Sequence, residues 1–255
     1  MKIGSLVVAA VFGLMMLLAR GVAAEAAEVK VLCARALESV MNELGPRFER
    51  ATGHQLMIQF DTVGVLKRQI DAGERFEVAI LITPLIDDLV KAGKIAAGTR
   101  ADVARSGIGV IVRTGAPKPD INSADAFKHT LLNAKAVSFQ KEGATAIYLE
   151  TLFERLGITE QMKPKTKIPP AGRGVEFVAE GESELGLMTI SSFEPVPGAE
   201  LLGPLPAELQ SYIGYSAGVG TAAKEAEAVK ALINFLKAPA AVPVLKAKGM
   251  EPFTP

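Results

Sequence analysis

The feature that most constrains the fold is an alternation, repeated from residue 29 onward, of short apolar runs with longer amphipathic segments. The run at residues 78–82 contains only valine, alanine, isoleucine and leucine, which is the composition of a buried strand. The segment at residues 37–51 instead repeats its apolar residues at helical spacing. Strands that alternate with helices in this way are typical of an α/β fold with mostly parallel sheets.

The same reading along the whole chain predicts eight strands and eight helices. Strands are predicted at residues 29–32, 55–60, 78–82, 108–112, 136–139, 185–188, 201–202 and 213–219. Helices are predicted at residues 37–51, 65–72, from Pro84 onward, and at 123–132, 144–156, 174–179, 222–236 and 240–246. The turn-rich stretch at residues 113–120 is interpreted as a crossing between two lobes. We therefore predict a first lobe of residues 25–112 and 207–255, and a second lobe of residues 113–206.

The N-terminus has the pattern of a cleaved signal peptide, predicted at residues 1–24. Lys2 provides a positive charge, residues 6–18 are apolar apart from one glycine, and small residues follow at positions 22–24. The apolar run is shorter than the roughly 20 residues that a membrane-spanning helix needs, although an uncleaved anchor remains the alternative. Export to the periplasm is therefore expected.

The composition excludes several classes of function. Lysine and arginine total 28 and aspartate and glutamate also 28, so the basic excess of a nucleic-acid-binding protein is absent. The single cysteine, Cys33, cannot form an internal disulfide. His54 and His129 have no companion at metal-ligand spacing, so neither a metal site nor a cofactor is expected. No phosphate loop, hydrolase elbow or zinc motif is present, which favours binding over catalysis.

Several segments, in this order and spacing, resemble the periplasmic molybdate-binding proteins of ABC importers. They are residues 38–53, 73–78, 156–158 and 181–186, and the pair Gly249 and Met250 near the end. The resemblance covers nearly the whole chain after the signal peptide. It implies a type II binding-protein fold, in which two α/β lobes, each a mostly parallel sheet flanked by helices, enclose a ligand cleft. It also implies a small anionic ligand, a membrane permease as partner and a monomeric protein.

A cleft at the ends of parallel strands suits an anion even in a protein without net charge. The loops that follow the strands collect at one edge of a sheet, and each following helix directs its N-terminal N–H groups there. The loops expected at the cleft are residues 34–36, 62–64, 83, 143–145, 171–173 and 189–191.

The expected loops depart from the family at the positions that would hold molybdate. The resemblance implies serines in the first two loops, where this chain has Ala36, Val63 and Gly64, with Thr62 as the nearby hydroxyl. The family's tyrosine after the Gly-Glu turn corresponds to Thr189. Each lost hydrogen bond to a charged ligand typically costs about 1.5 to 3 kcal/mol. Molybdate is therefore disfavoured as the ligand.

Two arginines replace the missing hydroxyls and point to an organic carboxylate, with an oxyanion as the open alternative. Arg35 lies in the first loop and Arg173 between two glycines, and a guanidinium binds a carboxylate through two parallel hydrogen bonds. Simpler roles remain open: Arg173 as a loop charge, Thr62 and Gly64 as a turn, and Thr145 as a helix cap. The complete set of predicted ligand-binding residues is Arg35, Ala36, Thr62, Val63, Gly64, Thr83, Ala144, Thr145, Ala171, Arg173, Thr189, Ser191 and Tyr215.

An enzymatic alternative remains beside the binding protein. The arginine-for-serine exchange and the segment from residues 203–206 to 215–218 also resemble the aconitate isomerases. That resemblance implies transfer of a proton across an allylic tricarboxylate, which needs a base and a group that stabilises negative charge. Glu142 is the candidate base, and Lys141 or Arg35 would stabilise the charge. The competing interpretation is that Lys141 and Glu142 form an ordinary exposed ion pair. A third possible function for the protein is that of a scavenger or sensor without transport.

Overall fold

The structure, a computed structural model, describes residues 26–253, so the predicted signal peptide lies outside the described residues. The strands are β1 (Glu28–Ala34), β2 (Gln55–Asp61), β3 (Val78–Ile82), β4 (Ala101–Arg113), β5 (Val137–Ser138), β6 (Thr166–Lys167), β7 (Leu185–Thr189), β8 (Ala199–Pro204), β9 (Tyr212–Val219) and β10 (Glu251–Pro252). The helices are α1 (Glu38–Thr52), α2 (Val63–Asp71), α3 (Thr83–Lys91), α4 (Ala124–Asn133), α5 (Ala144–Leu156), α6 (Thr159–Met162), α7 (Gly174–Ala179), α8 (Ala226–Lys237) and α9 (Val242–Ala247). Short 3-10 turns, including Arg35–Leu37 and Ile190–Ser192, follow some of the strands.

The strands form two parallel groups joined by antiparallel strands. The strand order is β2-β1-β3-β9-β4-β7-β5-β6, with β8 and β10 also paired to β4. β1 pairs in parallel with β2 and β3, and β5 pairs in parallel with β6 and β7. β9 runs antiparallel to β3 and β4. The predicted α/β architecture is confirmed.

Two large apolar cores lie on either side of the shared strand β4. The first core packs β1, β3, α1 and α8 around fully buried residues such as Phe48 and Met41. The second packs α4, α5 and β7 around residues such as Phe127 and Leu152. A smaller cluster joins α7 to β8. We call the parts built on the first and second large cores the first half and the second half.

A single strand, β4, contributes to both halves. Its residues from Ala101 to Gly107 pair with β9, and those from Ile108 onward pair with β7. The division into lobes at residues 112 and 113 stays a prediction, and the change of partner inside β4 favours a crossing nearer Gly107.

A glutamine side chain occupies the point at which β4 changes partners. The Ile108 N–H donates to Oε1 of Gln210 at 2.9 Å, and Nε2 of Gln210 donates to the Ile108 carbonyl at 3.0 Å. The primary amide therefore bonds both backbone groups of Ile108, as a neighbouring strand would.

The boundaries of several elements differ from the sequence predictions for local reasons. β4 begins at Ala101, although only its apolar part at residues 108–112 was predicted. The helix predicted to begin at residue 37 begins at Glu38, after a 3-10 turn. Ser123 is the N-cap of α4, and its hydroxyl accepts a hydrogen bond from the Ala126 N–H at 3.1 Å. Pro84 lies in the first turn of α3 as predicted.

Within the described residues, no single helix is both long and apolar enough to cross a membrane. The segments Ala226–Lys237 and Pro239–Ala247 satisfy the criteria only as a pair bent by 58°. Leu232, Leu236 and Leu245 of that pair are buried in the first core, which accounts for their apolar character.

Candidate functional site

A cleft with a cavity volume of about 180 Å³ lies between the two halves. The loops after β1, β2 and β7, the first turns of α5 and α7, and one residue of β9 line it. Nine predicted site residues are among those that line it: Arg35, Ala36, Thr62, Val63, Ala144, Thr145, Thr189, Ser191 and Tyr215. Loops from both halves thus meet at the ends of the parallel strands, where an open α/β sheet collects its ligands.

Arg35 extends from the first half toward the second. Its Nη1 donates to Oε2 of Glu38 at 2.9 Å, and its Nη2 lies 3.5 Å from the Phe60 carbonyl oxygen. Its Nε is buried and has no hydrogen-bond partner. A Cβ added at Gly172 of the second half would lie 3.6 Å from Nη1. The guanidinium is therefore positioned by its own half and reaches the opposite wall.

Three buried hydroxyls at the cleft also lack hydrogen-bond partners. They belong to Thr62, Ser191 and Tyr215. The Tyr215 side chain is fully buried, and that burial raises the pKa of the phenol well above its usual range, against an opposing contribution from the nearby Thr189 side chain, which lies outside normal hydrogen-bond geometry. It therefore stays protonated and can donate. Buried polar groups are normally hydrogen-bonded, so this group of donors has the character of a binding site.

Helix N-termini add backbone donors to the same cleft. α2 begins after Thr62, and α5 begins after Gly143 without a side-chain cap. The first N–H groups of a helix have no partner within it, and the helix dipole favours negative charge there. Thr145 is the second residue of α5, so the predicted alternative that it caps this helix is wrong.

Four predicted ligand-binding residues lie outside the set that lines the cleft. The Thr83 hydroxyl is 2.8 Å from that of Ser216. Gly64 donates its N–H to the Glu142 carbonyl at 3.1 Å. Ala171 borders a second, more open space beside the cleft. Arg173 forms an exposed ion pair with Glu180, while its glycine neighbours line the cleft in its place.

Glu142 also lines this second space, together with Lys141. Its two carboxylate oxygens accept hydrogen bonds of 2.6 and 2.9 Å from the guanidinium of Arg68. This hydrogen bonding lowers the pKa of Glu142. A carboxylate that is engaged in this way is a weak base, so the geometry does not support Glu142 as the group that abstracts a proton.

Sequence reasoning missed several residues that line the cleft, among them four carboxylates. Arg35 is the one lysine or arginine among the lining residues of the described chain. The missed residues include Glu38, Asp61, Ser138, Phe139, Gln140, Gly172, Gly174, Val175, Glu176, Met188, Ser192 and Glu194. The three-residue spacing from Arg35 to Glu38 was the available signal for one of them. Within residues 26–253, no group of three His, Cys, Asp or Glu side chains is placed to hold a metal ion.

Comparison with known sequences relates the chain to binding proteins and to one enzyme. The profile of bacterial extracellular solute-binding proteins matches residues 29–251. An aconitate isomerase from a Pseudomonas species is 32% identical over 228 residues, which cover 87% of each chain. The molybdate-binding protein ModA of Azotobacter vinelandii is 32% identical over 243 residues, which cover 89% of this chain and 91% of the relative.

Comparison with solved structures shows the same fold. The periplasmic molybdate-binding protein of Azotobacter vinelandii superimposes with a TM-score of 0.71 at 19% identity, over 89% of this chain and 99% of the other. The sulfate-binding protein SubI of Mycobacterium tuberculosis gives a TM-score of 0.72 at 18% identity, over 90% and 88%. The chain shares its fold with both binding proteins, which confirms the predicted type II fold.

Proposed function

The chain belongs to the family of bacterial extracellular solute-binding proteins, and on that premise we propose that its two halves close around a small organic carboxylate for delivery to an ABC importer. The predicted signal peptide supports a periplasmic location. The membrane permease is the expected partner, and the binding protein acts as a monomer.

One observation carries this proposal: the Arg35 Nε and the hydroxyls of Thr62, Ser191 and Tyr215 are buried at one cleft without partners. An unsatisfied buried polar group costs about 1 to 3 kcal/mol. A ligand with several oxygen acceptors removes that cost for all four groups at once. The N-termini of α2 and α5 favour a ligand of negative charge.

The donor types favour a carboxylate over molybdate or tungstate. Arg35 offers a planar pair of N–H groups that matches two carboxylate oxygens. Ala36 is buried at the position where molybdate binders of this family have a serine, so it offers no hydroxyl. The apolar side chains of Phe139 and Val175 also line the cleft and suit a carbon skeleton better than an inorganic oxyanion.

A thermal-shift series tests the ligand class directly. We expect citrate, cis-aconitate or trans-aconitate to raise Tm by about 5 °C or more at a hundredfold excess over Kd, because such ligands bind only the folded chain. Molybdate, tungstate and sulfate serve as the comparison, and calorimetry supplies the Kd values. A shift with the inorganic oxyanions alone contradicts the carboxylate proposal.

An aconitate isomerase is a second candidate, favoured by the relative that is 32% identical over 87% of both chains. In that reaction a base removes a proton from one carbon of the allylic system and the proton returns at the other. Asp61 and Glu176 line the cleft and carry carboxylates for this role. Incubation with trans-aconitate, followed by proton NMR, tests it. Absence of cis-aconitate after prolonged incubation of a protein that binds the substrate removes this candidate.

Replacing Tyr215 with phenylalanine is expected to separate ligand affinity from stability. The buried hydroxyl makes no hydrogen bond of normal geometry, although the Thr189 side chain is near enough to lower the phenol pKa in opposition to burial, so its removal changes the free energy of unfolding little. The affinity for the carboxylate falls about tenfold, because one donor to a charged ligand is lost. Urea unfolding and calorimetry measure the two quantities. A loss of stability with unchanged affinity would show that the hydroxyl serves the fold instead.

A further inference from the structure

Outside the cleft, an ion pair joins the two halves. Nη1 of Arg68 donates to Oε1 of Glu142 at 2.6 Å, and Nη2 donates to Oε2 at 2.9 Å. Arg68 lies on α2, whose residues Val63, Leu66 and Ile70 are buried in the first core. Glu142 precedes α5, which is buried in the second core. Each partner is thus fixed to a different half.

A backbone contact accompanies the ion pair. The Gly64 N–H at the start of α2 donates to the Glu142 carbonyl at 3.1 Å. A Cβ at position 64 would lie 2.9 Å from the Glu142 Cβ, so only glycine permits this approach. Side-chain and backbone contacts therefore converge on one residue of the second half.

The contact lies beside the ligand cleft, between α2 and the residue that precedes the N-cap of α5. Thr62 borders both the cleft and the second space, which Glu142 lines. The chain crosses between the halves elsewhere, at Ile108 and Gln210. Separation of the halves about that crossing would move Arg68 away from Glu142, whereas closure brings them together.

We propose that Arg68, Glu142 and Gly64 are positioning residues that hold the two halves closed over the bound anion and thereby slow its release. This inference rests on the proposed function, because it assumes that the halves close around a ligand. None of the three is among the residues that line the cleft. Both side chains are partly exposed, at 61% and 41%, so the expected effects are moderate.

Hydrogen exchange of one amide tests the contact without any ligand. The Gly64 N–H is the second in α2 and has no partner within the helix, so its protection from exchange depends on Glu142. We expect Arg68→Gln to accelerate exchange at Gly64 about threefold to fivefold, measured by NMR on the full mature protein. Glu142→Arg, which places two cations together, should accelerate it about tenfold.

The matched control is Arg100→Gln. Arg100 also pairs with carboxylates, those of Asp87 and Asp102, but all three residues lie in the first half. The Arg100→Gln replacement should therefore leave the exchange rate at Gly64 unchanged. The double replacement Arg68→Glu with Glu142→Arg restores the ion pair and should restore protection. Unchanged exchange at Gly64 in both Arg68→Gln and Glu142→Arg overturns the proposal.

A binding experiment with trans-aconitate as the probe tests the consequence for release. Arg68→Gln and Gly64→Ala should raise the dissociation rate several-fold with little change in the association rate, measured by stopped-flow fluorescence of a labelled protein. Alanine is more favourable than glycine within a helix, so the Gly64→Ala protein is expected to fold. If the wild type binds none of the tested anions, the proposed function fails, whereas the exchange experiment still decides whether the contact joins the halves.

Discussion

Replacing Arg35 with alanine is expected to weaken binding of the preferred carboxylate by about 100-fold or more. The guanidinium is the one cationic side chain among the lining residues of the described chain, and its Nε is buried without a partner. Its removal takes away two charge-assisted hydrogen bonds and leaves the carboxylate beside Glu38. Arg35→Lys keeps the charge but loses the planar pair of donors, so an intermediate loss of about tenfold is expected.

Arg173→Ala is the matched control, measured by calorimetry under the same conditions. Arg173 lies close to the cleft in sequence, but it pairs with Glu180 and its side chain is 52% exposed. We expect the affinity of the Arg173→Ala protein for the carboxylate to stay within about twofold of that of the wild type. Equal losses for both variants would indicate a general electrostatic effect, and an unchanged affinity in Arg35→Ala would exclude the proposed role of that residue.

Replacing Phe127 with alanine is expected to lower the free energy of unfolding of the second half by about 3 to 5 kcal/mol. Phe127 is fully buried on α4 and belongs to the core that also supports α5. Loss of the ring removes apolar burial and leaves a cavity that the neighbouring side chains fill only partly. Urea unfolding followed by circular dichroism measures the change.

Ile147→Ala provides the control for that measurement. Ile147 lies on α5 in the same half, but it is 56% exposed, so its loss should change the free energy of unfolding by less than about 0.5 kcal/mol. A small effect of Phe127→Ala would mean that the second core does not limit stability. Because the N-terminus of α5 borders the cleft, we also expect Phe127→Ala to lose binding at temperatures where the second half unfolds.

The regular parts of the fold could be predicted because their signals are local. Gly53 and Gly157 end helices in the left-handed conformation, and the helix at residues 174–179 has the predicted bounds. The first part of β4 could not be predicted, because its polar residues are satisfied by distant partners. Asp102 bonds Ser216, and Arg105 pairs with Glu251. Such contacts between distant residues do not affect the local spacing of apolar residues, from which strands are predicted.

The site could be predicted in outline but not in detail. Loops after parallel strands and before helices are identifiable from the sequence, and Arg35 was found in one of them, whereas Tyr215 lies within β9. Arg173 and Glu142 were assigned from chemistry alone, and each has an ionic partner that the sequence did not indicate. Glu142 and Arg68 are 74 positions apart, and only the folded chain brings them together.

The amide of Gln210 determines how the two halves can rotate relative to each other. A strand that leaves one ladder for another normally exposes a peptide group, and twisting at that point would break a hydrogen bond. Here a side chain that can turn about its own single bonds supplies two of the bonds to Ile108, and the Leu205 N–H donates to the same carbonyl at 3.0 Å. The two Gln210 bonds can therefore follow a small rotation of the backbone, which makes this joint torsionally softer than a continuous ladder of strands.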